Sequence, residues 1–149
     1  MPNTVHRGPA DRQAHTTEAK TLAGAYLPCT FVTEGASSLT QATAPAGHLR
    51  LLAARDFYSL GQLDANDPLK VAYASGDTGV AYILEPGQRY LVAVAAATYS
   101  FGQELTVAAA GRAAAAATGN QVVAFAREAG AKSAGDLIEV EIANCYAKP

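Results

Sequence analysis

The sequence is short of aromatics, cysteine, net charge and long apolar runs, and each shortage narrows what the protein can be. Aromatic residues make up 7% of the 149, and the hydrophobic half of the composition is dominated by alanine. A core must therefore be thin, built from Leu, Val, Ile and a few Tyr and Phe. The two cysteines, Cys29 and Cys145, form neither a Cys-x-x-Cys pair nor a cluster with histidine. Buried or idle thiols are the expectation, since a bridge would require a Cα separation of roughly 4.4 to 6.8 Å that spacing alone does not supply. A net charge of -2 gives no general attraction to nucleic acid or to anionic membranes, both of which favour basic patches. No apolar run approaches the roughly 18 residues that would span a bilayer, and the first residues lack the apolar stretch of a signal peptide. A soluble protein made in a cytoplasm is expected.

Reactive side chains are equally sparse. His6, His15 and His48 have no Cys, Asp or Glu at metal-binding spacing, so no metal site is expected. No Gly-x-Ser-x-Gly elbow occurs, and Ser37, Ser38, Ser59, Ser75, Ser100 and Ser133 sit mainly in loop-like sequence. Asp64-Ala65-Asn66-Asp67 crowds oxygen ligands, but Leu69 and Ser75 stand where an EF-hand needs Gly and Glu. Glu139 and Glu141 would lie about 7 Å apart on one strand face, where solvation is a better account than an acid and base pair. Phosphate-cradling glycine motifs are absent, so no cofactor is expected. Tyr90, Tyr99, Phe101 and Phe125 lack the Lys and Arg of a base-stacking platform and read as core or interface residues.

What is present is a series of short β-like runs between turn signals. In Leu137-Ile138-Glu139-Val140-Glu141-Ile142, the aliphatics Ile138, Val140 and Ile142 fall on one side of a strand and the glutamates on the other, facing water. Ala134-Gly135-Asp136, Gly119-Asn120-Gln121, Gly102-Gln103-Glu104 and Glu85-Pro86-Gly87-Gln88 punctuate the runs. Further strands are expected at Ala25 to Thr33, Leu39 to Thr43, Leu69 to Tyr73, Val80 to Leu84, Tyr90 to Ala95, Leu105 to Ala109 and Val122 to Phe125. His48 to Tyr58 suits a helix or a strand. Ala108 to Thr118 has high helix propensity, yet Gly111-Arg112 interrupts it between two β-like runs, and a hairpin of small side chains fits better. Residues 1–20 offer Val5 as the only large aliphatic after Met1 and read as an extended arm, frayed or ordered on a neighbouring subunit. The expected fold is all-β: one antiparallel β-sandwich or barrel-like domain over residues 21–149, jelly-roll or tulip-like, preceded by that arm.

The stretch from residue 85 to 143 resembles the capsid decoration, or cement, proteins of tailed bacteriophages. The likeness lies in Gly102-Gln103-Glu104-Leu105-Thr106-Val107, Gly111-Arg112-Ala113, Val122 to Glu128, and the Ala134-Gly135-Asp136 turn before the last amphipathic strand. The resemblance implies a virion protein on the outer capsid surface that clamps neighbouring major capsid proteins, a homo-oligomer with a trimer favoured and a dimer possible. It implies no catalytic residue, cofactor, nucleic-acid or membrane partner. Two other readings stay open: a tail or fibre-associated adhesion module, and a small β-barrel enzyme or carrier such as a lipoyl-like domain, for which Lys132 is the one candidate lysine.

Overall fold

The computed structural model describes residues 5–54 and 68–149, and two curled sheets account for nearly all of the regular structure there. The broad sheet contains β1 (His6–Gly8), β8 (Arg89–Ala93), β14 (Leu137–Ala147), β12 (Gln121–Ala126), β10 (Glu104–Val107) and β11 (Ala113–Ala115), in that spatial order. The second sheet runs β6 (Thr78–Gly79), β2 (Lys20–Leu22), β4 (Ser38–Gln41), β3 (Phe31–Glu34), β5 (Leu49–Leu52), β7 (Ala81–Ile83). A separate ribbon pairs β9 (Ala97–Tyr99) with β13 (Gly130–Lys132). The all-β expectation holds, although β2 and β4 pair in parallel, so the architecture is mixed rather than purely antiparallel.

The second sheet closes into a ring. Residues 78–83 pair through β6 with β2 and through β7 with β5. The same stretch also meets the segment ahead of β2, where the Thr17 amide donates to Ala81 O at 2.8 Å and the Ile83 amide to His15 O at 2.8 Å. Its interior holds Leu22, Val32, Leu39, Leu52, Tyr73 and Ala81. Neighbouring residues on the same strands face the other way: Phe31 and Leu51 join Tyr90, Val92, Leu105, Ile138 and Val140 in a core shared with the broad sheet. Strands β3 and β5 are thus buried on both faces, and this explains why Leu49 to Leu52 has no readable period. Both faces need apolar residues, so neither 2.0 nor 3.6 emerges.

The arm differs most from expectation. Val5 is 2% exposed, its carbonyl accepts the Leu91 amide at 2.8 Å, and β1 forms the edge of the broad sheet beside β8. Residues 15–22 supply one stave of the ring. Few aliphatics were needed, because backbone pairing to two sheets satisfies peptide groups along the segment while Val5 supplies its apolar anchor. The expectation of an arm with nothing to pack on its own body is corrected accordingly.

Two further corrections are local. Pro68–Lys70 is a 3-10 turn, and no strand follows it before Tyr73, whose ring instead lies over Gly79 and whose hydroxyl donates to Ala53 O at 2.8 Å. Of the stretch Ala25 to Thr33, only its end enters β3. Pro28 precedes Cys29, which has φ 64 and links the sheets by donating its amide to Leu52 O and accepting the Ala93 amide. The alanine run behaves as anticipated: β10 and β11 pair as a hairpin, joined through a 3-10 turn at Ala109–Gly111. A Cβ on Gly111, at φ +65, would stand 2.5 Å from Phe31 O, so this turn brings the broad sheet's hairpin against the start of β3.

One turn recurs. Ala74 to Asp77, Glu85 to Gln88, Ser100 to Gln103, Ala117 to Asn120 and Ser133 to Asp136 each place glycine third, with φ between 82 and 90, and close through an amide of the fourth residue on the carbonyl of the first. These are type II turns, which require that positive φ. In all but Glu85 to Gln88, the fourth side chain accepts the first residue's amide at 2.8 to 3.0 Å. Asp, Asn or Gln after glycine therefore satisfies a donor that the turn would otherwise leave to solvent.

Candidate attachment face

The outward face of the broad sheet carries a connected set of charged side chains that interact across strands. Antiparallel register sets Glu139 beside Leu91 and Glu141 beside Arg89 on β8, and Phe125 beside Glu141 on the opposite flank. Glu139 becomes the hub of a ladder: Arg7 Nε lies 4.0 Å away, Arg89 Nη1 3.4 Å and Arg127 Nε 3.6 Å. Arg127 also approaches Glu141, at 3.9 Å. Only 23% of the Glu139 side chain is exposed, against 40% for Glu141. The expectation that both glutamates simply face water is corrected for Glu139, because the three arginines come from strands and loops whose adjacency only the register reveals.

Arg127 extends this ladder to an aromatic. Its guanidinium stands 5.5 Å from the ring centroid of Phe101, which is 67% exposed at the tip of the Ser100 to Gln103 turn. An exposed aromatic stacked by arginine has the composition of a protein-contact anchor. Further along, Phe125 packs on Tyr146 with centroids 6.3 Å apart, and Tyr146 O–H donates to Glu104, whose other oxygen lies 3.6 Å from Lys148 Nζ. The Glu104 hydrogen bond pushes the Tyr146 phenol up from its ordinary value.

The other aromatics of interest are interior. Tyr99 is 1% exposed, and its hydroxyl donates to Ala95 O at 2.7 Å. Tyr90 is fully buried between His6 and Tyr82, and its hydroxyl donates to Gln88 Oε1 at 2.6 Å. Burial raises the Tyr90 phenol and lowers the His6 imidazole, both away from their charged forms. Gln88, itself buried, passes the network to the arm by donating to Gln13 O at 3.2 Å.

The remaining candidate residues are scattered. His6 sits in β1, His15 Nε2 lies 3.9 Å from Glu85, and His48 occupies a positive-φ corner. No three His, Cys, Asp or Glu side chains gather to suit a metal among the described residues. Ser133 and Ser100 are turn residues, while Ser59 and Asp64-Ala65-Asn66-Asp67 lie outside the described residues. Cys29 is buried and Cys145 exposed, and no disulfide joins them. Lys132 stands within β13 opposite Ala97, its ammonium 3.8 Å from Glu128, rather than at the apex of the following turn.

A different charge cluster braces the ring. Lys20 Nζ lies 3.1 Å from Glu34 and 3.4 Å from Glu18, and it donates to Gly35 O at 2.7 Å. Arg50 Nε donates to the second Glu34 oxygen at 2.8 Å. The Lys20 hydrogen bond, with Arg50 adding to it, holds the Glu34 carboxyl below the usual range against the opposing effect of burial; the same bond raises Lys20. This cluster ties β2, β3 and β5 together.

No protein-family model and no curated protein matches the chain. Among solved structures, its fold is similar to that of the N base of head fibre protein gp8.5 of bacteriophage phi29, with a TM-score of 0.54 and 13% identity, over 92% of this chain and 98% of that one.

Proposed function

We propose that this protein is a structural component of a bacteriophage head, seated on the outer capsid surface against the major capsid protein, where it cements neighbouring subunits. The fold likeness to the phi29 head fibre base carries this reading, because it runs through both sheets rather than through one hairpin. The phage-like stretch of residues 85–143 agrees with it. A role in assembly asks for a contact surface rather than a reaction site, and the Glu139 ladder with Phe101 at its end offers aromatic and guanidinium groups suited to one. On this reading the protein has no turnover, takes no cofactor and acts as a homo-oligomer, a trimer being favoured. Repetition over a shell makes modest contacts collectively strong.

The test is to add the purified protein to expanded shells of its own phage, locate it by electron microscopy and heat the shells with and without it. Binding to the outer surface with delayed genome release is expected, since a ligand that binds only the intact shell stabilises it by mass action. The neighbour's being a head fibre base favours one second reading, a base for display or adhesion. Surface occupancy with identical release curves would select that reading over cementing, and absence of binding would remove both.

A further inference from the structure

Arg7, Lys70 and Lys132 come from three distant parts of the chain, yet they line one cleft of about 360 Å³ with Leu91, Gly135, Asp136 and Leu137. Three cations and one carboxylate make this a positive site on a protein of net charge -2. One oxygen of that carboxylate accepts the Ser133 amide at 2.8 Å within its own turn, and the three cations still outnumber it. Among the described residues, Arg7 and Lys132 hold long ion pairs, 4.0 Å to Glu139 and 3.8 Å to Glu128, and Lys70 is exposed with none. Past Lys70, Gly135 and Leu137 the cleft continues into an apolar hollow of about 90 Å³ lined by Leu27, Pro28, Leu69 and Ala93. Leu27 is 40% exposed there.

We propose that this cleft docks an extended, acidic and partly apolar segment of a partner protein. A carboxylate sits among Arg7, Lys70 and Lys132, and an aliphatic side chain enters the hollow beside Leu27. A guanidinium takes a carboxylate through two parallel hydrogen bonds, and the two lysines on flexible stems close around it. Alternate side chains of an extended segment lie about 7 Å apart, so neighbouring charged and apolar groups can reach the two ends of one cleft. The hollow separates this occupant from a nucleic acid, whose backbone would meet apolar wall where it needs a further cation. The identity of the partner as a capsid subunit rests on the head-component reading; the chemistry of the cleft does not.

The probe is a terminally blocked peptide containing Glu-Asp-Leu-Val, titrated into the full chain by calorimetry, beside a control with both acids replaced by lysine. Saturable binding of the acidic peptide alone is expected, weakening as salt shortens the screening length. K70E and K132E should each reduce affinity about tenfold, and Leu27→Ser should reduce it without changing the salt dependence. All three positions are at the surface, so the variants should keep the wild-type circular dichroism and melting point. Absence of saturable binding, equal binding of the lysine control or undiminished binding by both charge reversals would overturn the proposal. Stronger competition by a single-stranded oligonucleotide than by peptide would overturn it too, as would self-association that K70E abolishes, which would assign the cleft to a second copy. On shells, attachment by wild type but not by K70E/K132E supports the cleft as the capsid contact. Equal attachment by both removes that role and leaves the head-component reading intact, whereas wild-type failure to attach counts against the latter alone.

Discussion

The broad sheet and the ring bury comparable strands by different means. In the broad sheet, β14 alternates from Leu137 to Ile142, with Ile138, Val140 and Ile142 inward and Glu139 and Glu141 outward, and the turn ahead of it follows the recurring glycine pattern. In the ring, β3 and β5 bury apolar residues on both faces, one stave comes from residues 15–22, and Lys20, Glu34 and Arg50 brace it. The difference teaches that a one-sided sheet announces itself locally, while a ring packed inside and out depends on pairings between distant segments. The largest test of that contrast is removal of residues 1–20. The truncated protein loses β1, the Val5 anchor and one side of the ring's closure, so the ring should melt or the whole chain fail to fold. Thermal unfolding decides it: a truncated protein with the wild-type midpoint would mean that the ring stands without its borrowed stave.

Gly111→Ala should have the next largest effect, because Gly111 lies directly against the backbone of Phe31 at the start of β3. The new Cβ would meet Phe31 O at 2.5 Å and Phe31 N at 3.0 Å, both backbone atoms that cannot rotate away. Left-handed backbone at a residue with a side chain and overpacking together predict a loss of about 2 to 4 kcal/mol. Chemical denaturation should register it as a lower midpoint. Ala110→Gly, at the neighbouring φ of 59, relieves strain rather than adding it and serves as the control. Equal behaviour of the two variants would show that the contact between halves is loose.

Legibility in the sequence divides along the same line. The β14 stripe, the glycine turns and the alanine hairpin were all readable, because each depends on residues a few positions apart. The Leu69 to Tyr73 strand was misread: its β-like composition reflects Leu69 and Tyr73 each filling a separate core. The arm was misread because backbone pairing leaves no trace in side-chain composition. Of the candidate attachment face, Glu139 is legible as an outward residue, but Arg7, Arg89 and Arg127 cannot be connected to it without the pairing of β1, β8, β12 and β14. Phe101 lies in a turn whose glycine and Gln103 are plain in the sequence, and that position was the available signal that its ring would be exposed.

Acidity should separate the halves next. Glu34 has a depressed folded-state pKa, so its contribution to stability is present above the ordinary carboxylate range and is lost as pH falls through the folded value. Lys20, raised in the folded state, contributes below its ordinary value of 10.5 and loses that contribution as pH rises through the folded value. Glu34→Gln should therefore melt below wild type at pH 7, with the gap narrowing as wild type is acidified beneath the usual carboxylate pKa. A gap of constant size down to pH 3 would show that the ion pairs do not hold the ring.

The smallest expected effect lies on the outward face of the broad sheet. Glu139→Gln keeps an acceptor for Arg89 and Arg127 but removes the charge that balances three guanidiniums within 4.0 Å. Pairs this exposed are screened and contribute little singly, so a loss of about 1 kcal/mol is expected for the set. Glu141→Gln loses one partner at 3.9 Å from a carboxylate that is 40% exposed, and a change of a few tenths of a kcal/mol is expected, about the lower limit for exposed pairs. The difference between the two should shrink in 1 M salt, where the screening length falls to about 3 Å. Should Glu139→Gln and Glu141→Gln cost the same at low salt, Glu139 would be one more solvated glutamate rather than the hub of a ladder.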